Sequence, residues 1–176
     1  MLDGRRKSVQ PMAERLDEAN EQSLQHFLPN TPWDPVPVRR QLTHRMQRVI
    51  DASAWVFDDT GFVTDGRASP CVARQDTGTA GKNTNCQVAT TLHLATDQAS
   101  CPVNWRLALP ESWDPASGKA SADVAQRRTA SGIPDSERHR PTWQLALECA
   151  DEALLWGLLL PPVAVADSGY GDAAAA

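Results

Sequence analysis

The stretch of sequence that decides the fold is Ala54-Trp55-Val56-Phe57, followed directly by Asp58-Asp59-Thr60-Gly61. Its first half is apolar, with aromatic and β-branched side chains, which is the composition of a buried strand. Its second half is polar and ends in glycine, which is typical of a turn. The stretch therefore predicts a β-strand that runs into a pair of aspartates.

A second strand of the same design is predicted near the other end of the chain. Val163-Ala164-Val165-Ala166 is a short apolar run that ends on Asp167-Ser168-Gly169. Carboxylates held at strand ends are suited to Mg²⁺, because this cation prefers oxygen ligands in fixed positions. The alternative is that each aspartate only begins a turn and accepts a hydrogen bond from the backbone two residues on. The spacing alone favours the turn, because aspartate is common at strand ends.

Further strands and one helix are predicted between these two strands. The strands are Cys71–Arg74, Cys86–Ala95 and Val103–Leu109, whereas residues 115–134 are polar and indicate an excursion from the core. The residues from Trp143 to Trp156 are strongly apolar and predict a helix that packs on the sheet, with Leu147 and Leu154 in the contact. Strands, helix and strand in this order predict a mixed α/β sheet.

The first fifty residues have a helical pattern instead. Ser8 and Pro11 open a run in which apolar residues recur at helical spacing as far as Phe27. Asp34-Pro35 has the chemistry of a helix N-cap followed by the first helical residue, and so predicts a second helix. The chain is accordingly predicted to comprise a helical segment, residues 1–52, and an α/β domain, residues 53–176.

Composition excludes several classes of protein. The chain has 176 residues, and no apolar run approaches the roughly 20 residues needed to span a membrane. Its four cysteines form no C-x-x-C pair, which argues against a zinc ribbon and a disulfide framework and favours the cytoplasm. Residues 1–50 hold eight basic and six acidic residues, net +2, so residues 51–176 carry net −7. The acidic second part suits divalent cations better than a polyanion.

A resemblance to a known family is carried by short motifs that occur in order over nearly the whole chain. They are Val56–Phe62, Val72–Gln75, Gly78–Lys82, Asn85–Val88, Asn104–Leu107, Leu109–Trp113, Gly132–Pro134, Trp143–Leu147 and Val165–Gly171. Together they resemble the DDE superfamily endonuclease domain of bacterial insertion-sequence transposases. The resemblance implies an RNase H-like fold and transposition of DNA, with the ends of an insertion sequence as the partner.

The resemblance also implies the site. Asp59 and Asp167 take the places of the first two catalytic, metal-binding aspartates, and two Mg²⁺ ions are implied as cofactors. Asp58 is expected to point to the opposite face of its strand and to have a supporting or turn role. We also expect Arg127, Arg128, Arg138 and Arg140 to contact DNA phosphates, although such a run is equally typical of a solvated surface.

The third acid of this family is expected to be missing. Nine residues follow Asp167 and none is glutamate, while the last glutamate, Glu152, lies in the preceding helix. The sequence therefore predicts an incomplete RNase H-like domain that is truncated and inactive, with one weakly bound ion. The alternative is a non-catalytic remnant that binds DNA, itself or a full-length transposase.

A distant alternative is an aspartic protease. Asp59-Thr60-Gly61 and Asp76-Thr77-Gly78 both spell the triplet of that class, whose chemistry requires two carboxylates that share a proton. The seventeen residues from one triplet to the next are too few for two lobes, which leaves only a homodimer with one triplet per chain.

Overall fold

Strand β1 (Ala54–Val63) is central to a five-stranded sheet in the computed structural model of the chain. It pairs antiparallel with β3 (Lys82–Ala95) over its whole length and parallel with β5 (Val163–Ala166) over its first four residues. Strands β2 (Ala73–Thr77) and β4 (Ser100–Leu107) both pair antiparallel with β3. This mixed sheet confirms the predicted α/β class and is consistent with an RNase H-like fold.

The structure describes residues 9–14, 20–30, 34–78 and 81–171. The chain divides into two units, Met1–Val36 and Pro37–Ala176. In the first unit, α1 (Val9–Ala13) contacts α2 (Glu21–Asn30), and the Asn20 side chain accepts a hydrogen bond from the Ser23 amide at 2.7 Å. The predicted continuity of one helix through residues 15–19 lies outside the described residues.

None of the described helices is long and apolar enough to cross a membrane. The predicted domain boundary after residue 52 stays a prediction.

Helix α3 (Pro35–Val49) begins where the sequence predicts. The Asp34 carboxylate accepts a hydrogen bond from the Val36 amide at 2.9 Å, which is the contact expected of an N-cap. Beyond Pro37 the helix belongs to the second unit, where Met46 and Ile50 pack against the core of the sheet.

Strand β1 is longer than the sequence predicts. It does not turn at Asp58 but continues to Val63, because β3 has fourteen residues and pairs with β1 as far as Val63 and Cys86. The ladder supplies hydrogen-bond partners to the polar half of β1, and these partners outweigh the local preference for a turn. Strand β2 begins at Ala73 rather than Cys71, since Cys71 has a left-handed backbone with φ of 61°.

Helix α5 (Thr142–Leu155) packs on one face of the sheet. It lies against β3 and β4, and Cys149 and Ala153 meet Trp55 and Leu92 in the main core. The predicted role of Leu147 and Leu154 is wrong: they are 56% and 40% exposed. The residues that α5 buries are Leu145, Ala146, Cys149 and Ala153. Apolar residues surround this helix on several sides, so hydrophobicity alone did not indicate which side faces the sheet.

The predicted excursion contains a helix of its own. Helix α4 (Val124–Ser131) lies beside a 3₁₀ turn at Glu111–Trp113, and Trp113 is almost fully buried in a second, smaller core. The indole of Trp113 donates a hydrogen bond to the Val72 carbonyl at 2.8 Å. This segment leads to α5, which returns the chain so that β5 runs parallel to β1.

Candidate metal site

The register between β1 and β5 aligns two aspartates. The last pair of the parallel ladder is Phe57 with Ala166, so the next residues along the two strands are Asp58 and Asp167. Asp167 keeps an extended backbone, with φ of −60° and ψ of 154°. Paired residues of neighbouring strands point to the same face, so Asp58 and Asp167 are brought to one face of the sheet. Both residues are exposed to solvent.

Asp59 points to the opposite face, because successive side chains alternate along a strand. Its Oδ1 accepts two hydrogen bonds, from Thr90 Oγ1 at 2.9 Å and from the Tyr170 hydroxyl at 2.6 Å. Thr90 is buried, and Tyr170 ends the 3₁₀ turn Ser168–Tyr170 that follows Asp167. Burial, followed by the contact with Asp59, raises the pKa of Tyr170, so the hydroxyl keeps its proton and remains a donor. Asp59 is thus linked to the Asp167 turn through Tyr170.

Asp167 shows the turn geometry that the sequence left open. Its Oδ1 accepts hydrogen bonds from the Gly169 amide at 2.8 Å and from Ser168 Oγ at 3.2 Å. Both bonds use the same carboxylate oxygen. They fix the orientation of the side chain at the end of β5, which is the kind of support that an oxygen ligand of a metal requires.

Asp58 lies in a polar environment. Its Oδ1 accepts a hydrogen bond from the Asp59 amide at 2.9 Å, and its carbonyl accepts one from Thr91 Oγ1 at 2.9 Å. Thr91 Oγ1 also lies 3.0 Å from His93 Nε2, and the other ring nitrogen lies 3.0 Å from Ser100 Oγ. Burial lowers the pKa of His93, and the nearby charge of Asp58 opposes this effect. A neutral imidazole is therefore favoured on the same face as Asp58.

Glu152, the last glutamate of the chain, is engaged elsewhere. Its Oε2 lies 3.1 Å from Arg39, 2.7 Å from Arg106 and 3.0 Å from the side-chain amide of Asn104. Burial raises the pKa of Glu152, but these hydrogen bonds and charges outweigh it and leave the pKa lowered. The network joins α3, β4 and α5. Within the described residues, no group of three or more His, Cys, Asp or Glu side chains is arranged to hold a metal.

The arginines expected to contact DNA all have partners inside the protein. Arg127 donates to the Val72 carbonyl at 3.0 Å and stacks on Trp113, while Arg128 is 4% exposed and donates to the Trp113 carbonyl at 2.9 Å. Arg138 binds Asp114 through two nitrogens at 2.9 and 2.6 Å, and Arg140 pairs with Glu148 at 2.8 Å. These contacts favour structural roles, and the DNA contact of these arginines stays a prediction.

A cleft of about 260 Å³ lies on the helix-covered face. Asp59 and Asp76 both line it, together with His139, Arg140 and Thr142. These aspartates belong to the two Asp-Thr-Gly triplets. However, Asp59 pairs with Thr90 in the ladder of β1 and Asp76 pairs with Asn83 in that of β2. The homodimeric aspartic protease, with one triplet from each chain, stays a prediction.

Sequence reasoning missed the role of Tyr170 and Thr90. Tyr170 was visible as part of the motif that follows Asp167, but its partner is 111 residues away. The sequence does not indicate a role for Thr90, since it is one of three threonines in the strand Lys82–Ala95.

Comparison with known proteins identifies similar chains. The family described as DDE superfamily endonuclease matches residues 1–176. The chain is 30% identical over 96 residues to the "Probable transposase for insertion sequence element IS701" of Microchaete diplosiphon. That alignment covers 52% of this chain but 24% of the relative, so the chain spans about a quarter of the relative's length. No solved structure matches significantly.

Proposed function

Because this chain belongs to the DDE superfamily of endonucleases, we propose that it forms part of the metal-binding core of a DNA transposase. The reaction class is metal-dependent cleavage and joining of DNA strands. The substrate is the end of an insertion sequence, in keeping with the name of the similar transposase.

The observation that carries the proposal is the parallel register of β1 and β5, in which Asp58 and Asp167 follow the last ladder pair. Two carboxylates on one exposed face supply oxygen ligands of the kind that Mg²⁺ prefers. The sequence-based alternative uses Asp59 as the partner of Asp167. The register favours Asp58, because Asp59 is on the other face and already accepts hydrogen bonds from Thr90 and Tyr170.

The residues of the chain have distinct roles in this proposal. Asp58 and Asp167 hold the cation, and Asp59 positions the turn that carries Asp167. A bound Mg²⁺ supplies activation of the attacking hydroxyl and stabilisation of the leaving oxygen. Ser168 and the Gly169 amide keep the Asp167 carboxylate in a fixed orientation through Oδ1.

Two carboxylates are too few for the two-metal chemistry of this family. Glu148 and Glu152, the glutamates of α5, are paired with Arg140, Arg39 and Arg106. We therefore propose that residues 1–176 by themselves bind one ion weakly and neither cleave nor join DNA. In this state the chain acts as a non-catalytic module that binds DNA or a full-length transposase.

The experiment that tests the site is Mn²⁺ binding, followed by electron paramagnetic resonance, with Asp58→Asn, Asp59→Asn and Asp167→Asn variants. We expect the affinity to fall at least about tenfold for Asp58→Asn and Asp167→Asn. The loss for Asp59→Asn is expected to be smaller, since the amide oxygen still accepts a hydrogen bond. Asp65→Asn, which removes an exposed carboxylate just after β1, is the matched control.

The outcomes separate the alternatives. If Asp59→Asn loses the most Mn²⁺ affinity, Asp59 is the ligand. If all variants bind Mn²⁺ equally, the proposed site is wrong. Nicking of supercoiled DNA, assayed with Mg²⁺ and Mn²⁺, is expected to be absent. Robust nicking by the wild-type chain that is lost in Asp58→Asn or Asp167→Asn overturns the inactive state.

A further inference from the structure

Helix α3 has two chemically different sides. Arg39 and Thr43 of the helix, and Ile50 just after it, are buried within the second unit. Arg40, Arg45 and Arg48 are exposed. At about 100° of rotation per residue, these three arginines span an arc on the side of the helix opposite the buried residues.

The exposed side of α3 carries positive charge that no acidic residue of the helix balances. From Pro35 to Val49 the helix holds four arginines and no acidic residue. Arg39 is used internally, in the network with Asn104 and Glu152. In the part of the chain that the structure describes, Arg40, Arg45 and Arg48 have neither an ion pair nor a side-chain hydrogen bond. They thus differ from Arg127, Arg128, Arg138 and Arg140, each of which has an internal partner.

This charge stands out against the rest of the chain. Residues 51–176 carry net −7, so the exposed side of α3 is the basic region of an otherwise acidic unit. An exposed basic patch of this kind attracts a polyanion even where the rest of the unit is acidic. The net negative charge of the domain argues against DNA binding, but the local positive charge of α3 offers DNA a surface to bind.

The spacing suits a phosphate backbone. Arg40 and Arg48 are eight residues apart, which corresponds to about 12 Å along the helix axis. Phosphates of one DNA strand rise by about 3.4 Å each along the duplex, so the helix faces several of them. A lipid surface fits less well, because a membrane-binding helix buries its apolar side in the bilayer. Met46 of α3, and Ile50 just after the helix, are already packed in the protein core.

We propose that the exposed side of α3, with Arg40, Arg45 and Arg48, docks on the phosphate backbone of duplex DNA. This inference rests on the proposed function, since it assumes that DNA is the substrate. Contacts of this kind position the protein on the duplex without reading its sequence.

The test compares two triple variants of the full chain that lose the same charge. One is Arg40→Gln/Arg45→Gln/Arg48→Gln, and the other removes exposed basic residues outside α3, as Arg67→Gln/Arg74→Gln/Lys82→Gln. Binding to a fluorescent duplex is measured by anisotropy over a series of salt concentrations. All buffers contain EDTA, so the result does not depend on the metal site, and circular dichroism checks that each variant is folded.

We expect the α3 variant to lose affinity at least about tenfold at low salt, and its log–log salt slope to fall by about one to three. The control variant is expected to keep most of the DNA affinity and most of the salt slope. Equal losses in the two variants overturn the inference, because they show only a dependence on net charge. Unchanged binding by the α3 variant, or tighter binding of wild type to anionic lipid vesicles or duplex RNA than to DNA, overturns it as well.

Discussion

The hydroxyl of Tyr170 lies 2.6 Å from Oδ1 of Asp59, and this hydrogen bond joins the turn after β5 to the middle of β1. The two residues are 111 positions apart in sequence. Tyr170 follows Asp167 by three residues, so the bond restrains the turn that carries one of the proposed metal ligands. In the proposed site, Asp59 is therefore expected to act through Tyr170, from the face opposite to Asp58.

The first prediction concerns the loss of this bond. Tyr170→Phe removes the hydroxyl and leaves the ring in place, so we expect the free energy of unfolding to fall by about 1 kcal/mol. We also expect weaker Mn²⁺ binding although Asp58 and Asp167 are intact, because the turn is less restrained. Urea unfolding and metal titration measure the two effects. Thr43→Val is the matched control, since it removes a buried hydroxyl that donates to the Arg39 and Val103 carbonyls and not to Asp59 or Tyr170. Unchanged metal binding in Tyr170→Phe contradicts the positioning role.

The second prediction uses the fact that Tyr170 is the single tyrosine of the chain. Ultraviolet absorbance of tyrosinate therefore reports this residue alone. Because burial and the Asp59 hydrogen bond raise its pKa, we expect its ionisation in the folded protein well above the ordinary value near 10. The stability that it contributes is present below about pH 10 and is lost as the pH rises above this value.

Asp59→Ala provides the comparison for this titration. It removes the second cause of the raised pKa and leaves burial, so the midpoint is expected to move down towards the ordinary value without reaching it. A midpoint at the ordinary value in the folded wild-type chain contradicts the buried, hydrogen-bonded state of Tyr170.

The third prediction concerns Gly61 in β1. A Cβ atom at this position would lie 1.9 Å from Thr77 Oγ1 and 2.8 Å from Thr77 Cβ, so Gly61→Ala forces the two strands to shift. We expect a loss of about 1–3 kcal/mol in the free energy of unfolding, measured with urea. Thr77→Ala should relieve part of it, because the nearer clash is with the hydroxyl. If the double variant is no more stable than Gly61→Ala alone, Thr77 is not the obstacle.

The fourth prediction concerns acid stability. Asp114 accepts hydrogen bonds from Arg138, from the Ala116 amide and from the His139 amide, and its pKa is held well below the ordinary value. A depressed pKa contributes stability that is present above the unfolded value near 4 and is lost as the pH falls below it. Asp114→Asn should therefore lower stability at pH 7 and flatten its decline between pH 5 and pH 2. The free energy of unfolding is measured with urea at each pH. If it declines with pH equally in wild type and variant, the ion pair does not contribute to acid stability.

The fifth prediction concerns self-association. Leu155, Leu159 and Leu160 at the end of α5 and just beyond it are 86%, 72% and 70% exposed. Exposed apolar side chains in such number favour association. Analytical ultracentrifugation of the chain is expected to show concentration-dependent association, which Leu155→Gln/Leu159→Gln/Leu160→Gln should weaken. Val38→Gln/Val49→Gln, which removes exposed valines from α3, is the control and should have little effect. If the chain is a monomer at all concentrations, the prediction is wrong.

Local sequence determined several elements and the family. The cap at Asp34, the start of α3 at Pro35 and strand β5 at Val163–Ala166 follow from short-range chemistry, and the structure has them where they are expected. These features depend on neighbours within a few residues, and the chain carries that information at each position. The motifs that identify the DDE superfamily are likewise local.

The tertiary structure alone decided which aspartate shares the face of Asp167, how far β1 extends and which side of α5 is buried. Asp58 and Asp59 are adjacent and chemically identical, and alternation along the strand puts them on opposite faces. Only the β1–β5 register assigns Asp58 to the face of Asp167. The register depends on β3 and on the return of the chain through α5, which begins 79 residues after the end of β1. Because side chains alternate with a period of two, a slip of one residue exchanges the two aspartates, and no local pattern records that choice.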